Sequence, residues 1–156
     1  MRRLYRFLTL EPVERRLLVE AAFLLGVIRL GLGRVPFTTL RRMVVRGPRK
    51  GIGSPKPGIA DQVVWAVNAL FPTAPRRATC LIRALAVQAM LARRGYPSRL
   101  RIGVMRGSPG GLDGHAWVEH EGRILIGGSA PELARFAPIT AFDSDAVMPL
   151  GAHGEQ

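Results

Sequence analysis

Thr79-Cys80-Leu81-Ile82-Arg83-Ala84-Leu85-Ala86-Val87-Gln88-Ala89-Met90-Leu91-Ala92-Arg93-Arg94-Gly95 is the stretch that decides the fold. It is apolar nearly all round, so a helix here has almost no solvent face and belongs at the centre of the molecule. Its ends are marked. Thr79 is a predicted N-cap, which makes Cys80 the first helical residue. Arg93 and Arg94 suit the negative end of the helix dipole, and Gly95 is the residue type that leaves a helix through positive φ. The reading is a central helix over 80–94, with the chain's one cysteine at its N-terminal end.

On the C-terminal side the texture changes. Arg99, Leu100, Arg101 and Ile102 alternate basic and apolar, predicting a strand over 98–105. Gly107-Ser108-Pro109-Gly110-Gly111 is a loop, and His115 opens a second strand over 115–120. Glu121-Gly122 predicts a hairpin turn into a third strand over 123–126. From Ser129 to Phe136 the helical character is weak, and Pro138 and Pro149 punctuate the tail.

On the N-terminal side, apolar residues at 59, 63, 64, 67 and 70 predict a helix ended by Pro72 and Pro75. Before it, Gly, Pro and basic residues dominate 47–58, which reads as a linker. Glu11-Pro12-Val13-Glu14 starts a helix running to about Leu30, and 36–45 predicts a second, short one. The organisation is an N-terminal helical segment over 1–46, the linker over 47–58 and a mixed domain over 59–156.

Composition narrows the class. The chain has 156 residues, 47% of them hydrophobic, which excludes a disordered tail protein. One cysteine excludes a disulfide framework, and with His115, His120 and His153 scattered neither a metal nor a cofactor is expected. Net charge is +12, split as +17 over 1–106 and −5 over 107–156. Such a field invites nucleic acid, anionic membrane or an acidic peptide. No helix-turn-helix or stacked-aromatic motif supports nucleic acid. The apolar run 17–30 contains Glu20 and Arg29, so no spanning helix is expected. No signal cleavage site follows, and a cytoplasmic location is expected, with the N-terminal helix able to lie on anionic lipid.

Cys80 at a helix start lies where backbone N–H groups and the dipole favour a thiolate, with Arg76, Arg77 and Arg83 nearby. A lone buried cysteine is more often an inert small hydrophobe. His115 changes the balance. Alternation puts His115, Trp117 and Glu119 on one strand face and Ala116 and Val118 on the other. A histidine beside the N-terminus of the central helix is the geometry a Cys–His pair requires. Trp117 reads as packing, His120 and His153 as solvent or loop residues, and Asp61 as support for the start of its helix.

Thr79-Cys80-Leu81-Ile82-Arg83-Ala84-Leu85 together with Gly114-His115-Ala116-Trp117-Val118-Glu119 resembles the transglutaminase-like cysteine peptidases of lasso-peptide biosynthesis, the microcin-processing leader peptidases. Arg93-Arg94-Gly95-Tyr96, the following Leu100-Arg101-Ile102-Gly103-Val104 and the N-terminal Leu10-Glu11-Pro12-Val13-Glu14-Arg15-Arg16-Leu17-Leu18 extend the likeness over roughly residues 5–140.

The resemblance implies an α+β, papain-like core: a cysteine-bearing helix packed on a small antiparallel sheet bearing the histidine, preceded by the helical segment. It implies a cysteine peptidase domain over 59–156 with Cys80 as nucleophile and His115 as general acid and base. The substrate implied is a ribosomally made precursor peptide, whose leader is removed before a separate ATP-dependent cyclase closes the ring. Residues ahead of 59 read as helices rather than as a winged recognition domain, so a separate precursor-recognition protein is the expected partner. The family's third residue is usually an Asp about a dozen residues after the histidine. Here that stretch is Ile124-Leu125-Ile126-Gly127-Gly128, without acid or amide. A backbone carbonyl, Asp113 or Glu119 remain as groups that could orient His115. The rival readings are acyl transfer by the same pair and a non-catalytic basic scaffold or nucleic-acid-binding protein.

Overall fold

The computed structural model describes residues 10–45, 57–70, 77–107 and 111–144. The expected linker apart from Pro57 and Gly58, the helix-ending Pro72 and Pro75, Arg76, the loop tip 108–110, Pro149 and His153 lie outside the described residues.

Helix α1 (Pro12–Gly31) starts on a capping box in which the Glu11 N–H donates to Glu14 Oε2 at 3.2 Å. Leu17, Leu18, Ala21, Leu24, Leu25 and Ile28 form its buried stripe, at the spacing of one helix face. Helix α2 (Phe37–Val44) is short, and α3 (Ile59–Leu70) buries Ala60, Val63, Ala66 and Val67. Helix α4 (Arg77–Ala92) is the centre: every residue from Ala84 to Ala92 is buried. It packs against α1 and α3 and, on another side, against the sheet.

The sheet is fully antiparallel. Strands β1 (Arg99–Arg106), β2 (Leu112–His120), β3 (Arg123–Ile126) and β4 (Ala137–Asp143) lie in the order β3-β2-β1-β4, and a single helical turn, α5 (Ala130–Leu133), precedes β4. This is the α+β architecture expected, with the Cys80 helix on a small antiparallel sheet behind an N-terminal helix. The hairpin turn between β2 and β3 holds Glu121 at φ 48 and Gly122 at φ 79, as a two-residue loop of this kind requires. At the exit of α4, Gly95 has φ 68, and Arg93 and Arg94 both reach Glu20 on α1, at 3.2 and 2.6 Å.

Three local expectations are corrected. Helix α4 begins at Arg77, so Thr79 is not the cap but a buried residue of the first turn. Strand β2 begins at Leu112, because β1 supplies Arg106 and Met105 as partners for Leu112 and Asp113; His115 therefore sits inside the strand rather than opening it. The tail forms a fourth strand. Pro138 hides β4 from a pattern reading, but β4 is an edge, and its register shifts opposite Ile102 and Gly103, where a proline is tolerated.

Candidate active site

Cys80 lies in the first helical turn of α4, half-buried, with the His115 ring hydrogen-bonded to it. The backbone N–H groups of Leu81 and Ala116 also donate to its sulfur. The second donor is available because β2 pairs with β3 only from Val118 onward, opposite Ile126, which leaves the β2 edge at Ala116 to the thiol. The end of the central helix thus meets the open part of the histidine strand.

On the far side of the imidazole, His115 Nε2 is hydrogen-bonded to the Gly127 carbonyl oxygen. A carbonyl only accepts, so Nε2 carries the proton and Nδ1 is left for the cysteine. Gly127 is where the sequence lacks an acid, and its backbone takes the position. Its φ of 116 favours glycine, and a Cβ there would overlap the Trp117 side chain and stand 2.9 Å from the Ala116 carbonyl oxygen. Only a glycine lets the chain come close enough for its carbonyl to reach the ring. Phe136 stacks on His115 with ring centroids 5.1 Å apart.

The other two carboxylates singled out from sequence sit elsewhere. Glu119 accepts from Trp117 Nε1 and Arg101 Nε, each at 2.7 Å. Asp113 stands opposite Met105, its carboxylate against Gly107, where a Cβ would lie 2.7 Å from Oδ2. Trp117 is buried, as read from the sequence. His120 is not a solvent residue: its ring lies tilted against Tyr96 with centroids 4.1 Å apart, and it pairs through Nδ1 with the Pro97 carbonyl at 2.6 Å. Asp61 lies in the first turn of α3 and also pairs with Arg123 at 2.5 Å.

Two side chains near the site escaped the sequence reading in their roles. Arg83, one turn beyond Cys80, donates to Asn68 Oδ1 on α3, while its buried Nε has no acceptor among the described residues. Glu132 closes a capping box on Ser129, accepting from its N–H and its hydroxyl at 2.7 Å each. Ser129-Ala130-Pro131-Glu132 is legible as such a box; that it closes beside His115 is not.

These contacts set the protonation states. Burial pushes the Cys80 thiol up, but the bond and charge of His115 and the Ala116 and Leu81 N–H groups outweigh it, leaving the thiol below its ordinary value. His115 is raised, first by its bond to Cys80, against burial, and further by the Gly127 carbonyl and the charges of Cys80 and Glu132. Burial lowers Arg83, opposed by the charge of Cys80. A lowered thiol beside a raised imidazole moves the pair toward the thiolate–imidazolium form that cysteine nucleophiles use.

No curated protein and no solved structure matches the chain. A family model described as transglutaminase-like superfamily matches residues 22–141, which span from the third turn of α1 into β4 and include Cys80 and His115. Members of that superfamily are typically cysteine-dependent enzymes, and a cysteine at the head of a helix against a histidine strand is the arrangement such chemistry needs. With most of its length matched and this architecture around its single cysteine, the chain belongs to the transglutaminase-like superfamily.

Proposed function

We propose that the protein is a cysteine peptidase that removes the leader from a ribosomally synthesised, lasso-type precursor peptide before macrocyclisation. The observation that carries the peptidase reading is the hydrogen-bonded Cys80–His115 pair with the Gly127 carbonyl behind it. The narrower substrate rests on the motif resemblance around those two residues.

The Cys80 thiolate attacks the carbonyl carbon of the last leader residue. The positive end of the α4 dipole stabilises the oxyanion. The His115 imidazolium donates its proton to the amine of the departing core peptide, leaving a thioester between leader and Cys80. His115 then takes a proton from water, whose oxygen displaces the thiolate and releases the leader as a free acid. The free core amine is what an ATP-dependent cyclase then consumes.

A separate recognition protein presents the precursor. Helix α1 offers a surface suited to it: Val13, Val19, Phe23 and Leu30 are each more than half exposed. Arg15, Arg16, Arg93 and Arg94 join the first three of these in lining an open groove of about 960 Å³. Glu20 also lines it and pairs with Arg93 and Arg94, so Arg15 and Arg16 beside the apolar floor are what complements an acidic, amphipathic segment of the leader or of its carrier. The same outer face allows a cytoplasmic enzyme to rest on anionic lipid. Among the described residues no helix is long and apolar enough to cross a membrane.

Mass spectrometry of a lasso-type precursor, incubated with the protein and its recognition partner, tests the reading. A single cut giving free leader acid and free core amine, abolished in Cys80→Ala and His115→Ala, is the expected result. Leader joined to an added amine means acyl transfer instead. Cleavage surviving Cys80→Ala overturns the mechanism.

A further inference from the structure

We propose that Glu132 is a positioning residue that acts on His115 across the Gly127–Gly128–Ser129 turn, doing at one remove what a triad carboxylate does by contact. The inference rests on the Cys80–His115 reading above.

The carbonyl on His115 belongs to Gly127, and Gly127 and Gly128 both have positive φ, at 116 and 132. Two glycines in succession leave a carbonyl free to swing unless the chain is tied on the other side. Glu132 is that tie. Its Oε2 holds both the N–H and the hydroxyl of Ser129, and a Cβ on Gly128 would lie 3.2 Å from the same oxygen. Leu133, the next residue, is buried, and Phe136 stacks on the imidazole, so the segment carrying Glu132 is anchored on the C-terminal side of α5.

The carboxylate also supplies the negative charge missing from the ring contact. Among the described residues, the charges that act on His115 are those of Cys80 from α4, with Arg83 one turn on, and of Glu132 from α5; Asp113 stands two positions back along β2. Of the two carboxylates, Glu132 is the one whose charge favours the imidazolium. A neutral carbonyl directs the ring, and the charge behind the turn favours its protonated form.

The test uses the full chain and needs no substrate. The His115 ring resonances are followed against pH by NMR in wild type, Glu132→Gln, Glu132→Ala and Cys80→Ala, with the iodoacetamide rate of Cys80 in parallel. Glu132 is exposed, so neither substitution empties the core. Glutamine keeps an oxygen for Ser129 and removes the charge. The expected result is a fall in the His115 midpoint of about half a pH unit in Glu132→Gln that closes in 1 M salt. In Glu132→Ala the fall is larger, with alkylation near neutral pH several-fold slower. An unchanged midpoint in Glu132→Gln, while Cys80→Ala still lowers it, overturns the role of Glu132 and leaves the pair standing. A wild-type midpoint that ignores Cys80→Ala overturns the pair itself.

Discussion

Helix α4 carries two polar clusters, about 12 Å apart along its axis, and they treat their polar atoms in opposite ways. Around Gln88 the amide is bonded at both its oxygen and its nitrogen, and the buried atom left without a partner among the described residues there is the Ser98 hydroxyl. The Gln88 side chain is fully buried; Oε1 accepts from Arg41 Nε at 3.2 Å, and Nε2 donates to the carbonyls of Phe142 at 2.7 Å and Ser98 at 3.3 Å. Arg41 also reaches the Asp143 carbonyl at 2.5 Å and lies 5.0 Å over the Phe142 ring. Around Cys80 the sulfur and the imidazole stay half-buried, and Arg83 Nε is left without an acceptor among the described residues. The first cluster spends its polar groups on one another and ties α2, α4, β1 and β4 together. The second pairs its sulfur and imidazole with each other and with backbone groups, and leaves both partly open to solvent. On one helix, a fully buried amide that joins several elements marks structure, and a half-buried pair of titratable groups marks chemistry.

The sharpest way to break this contrast is to remove the reactive atoms. Cys80→Ala abolishes leader release and His115→Ala lowers it by about 10³-fold or more, while the urea midpoint of each stays near wild type. Single-turnover cleavage and denaturation curves check both halves, and a large loss of stability in either variant would erase the distinction. The mirror experiment is Gln88→Leu. It strands the Arg41 Nε and removes a donor from the Phe142 carbonyl, while the Ser98 carbonyl keeps the Ser144 N–H at 2.9 Å, and the expected loss is about 2 kcal/mol of folding stability. Cys80 in the folded fraction keeps its alkylation profile against pH.

A third variant joins packing to chemistry. Gly127→Ala forces a Cβ into the Trp117 side chain at a positive φ, for about 3 kcal/mol of strain, and displaces the carbonyl from His115. Both denaturation and alkylation register it. The pH dependence of Cys80 alkylation is a gentler probe. Because the thiol is lowered, the rate in wild type rises through a midpoint below the ordinary ~8.5. In His115→Ala the downward influences of the ring are gone and burial remains, so the midpoint moves upward. Smallest of all is Arg83→Met, which removes a charge facing Cys80 and raises the thiolate midpoint by about half a unit with little change in stability.

Much of this was legible before any coordinates. The all-round apolar stretch after Cys80 could only be a central helix. The alternation through Arg101 and Ile102 and the Glu121-Gly122 turn gave away three of the four strands, and Cys80 and His115 stood out by residue type and setting. Strand β4 did not, because an edge strand with Pro138 and mostly exposed side chains has no periodic signal; its pairing to β1 makes it a strand. Nothing local marks Gln88 among its apolar neighbours, since its partners come from α2, β4 and the residue just ahead of β1.

The amino-acid order by itself determined the helix that carries the cysteine, the strand that carries the histidine and the absence of an acid where one was expected. Those properties reside in local periodicity, propensity and residue identity. Only the tertiary structure decided that the group on His115 is the Gly127 carbonyl, that Glu132 closes its cap beside it, and that Glu119 serves Trp117 and Arg101 instead. A backbone carbonyl has no letter in a sequence. Which one reaches a ring depends on how closely two chain segments approach, and at Gly127 that approach is set by the missing side chain.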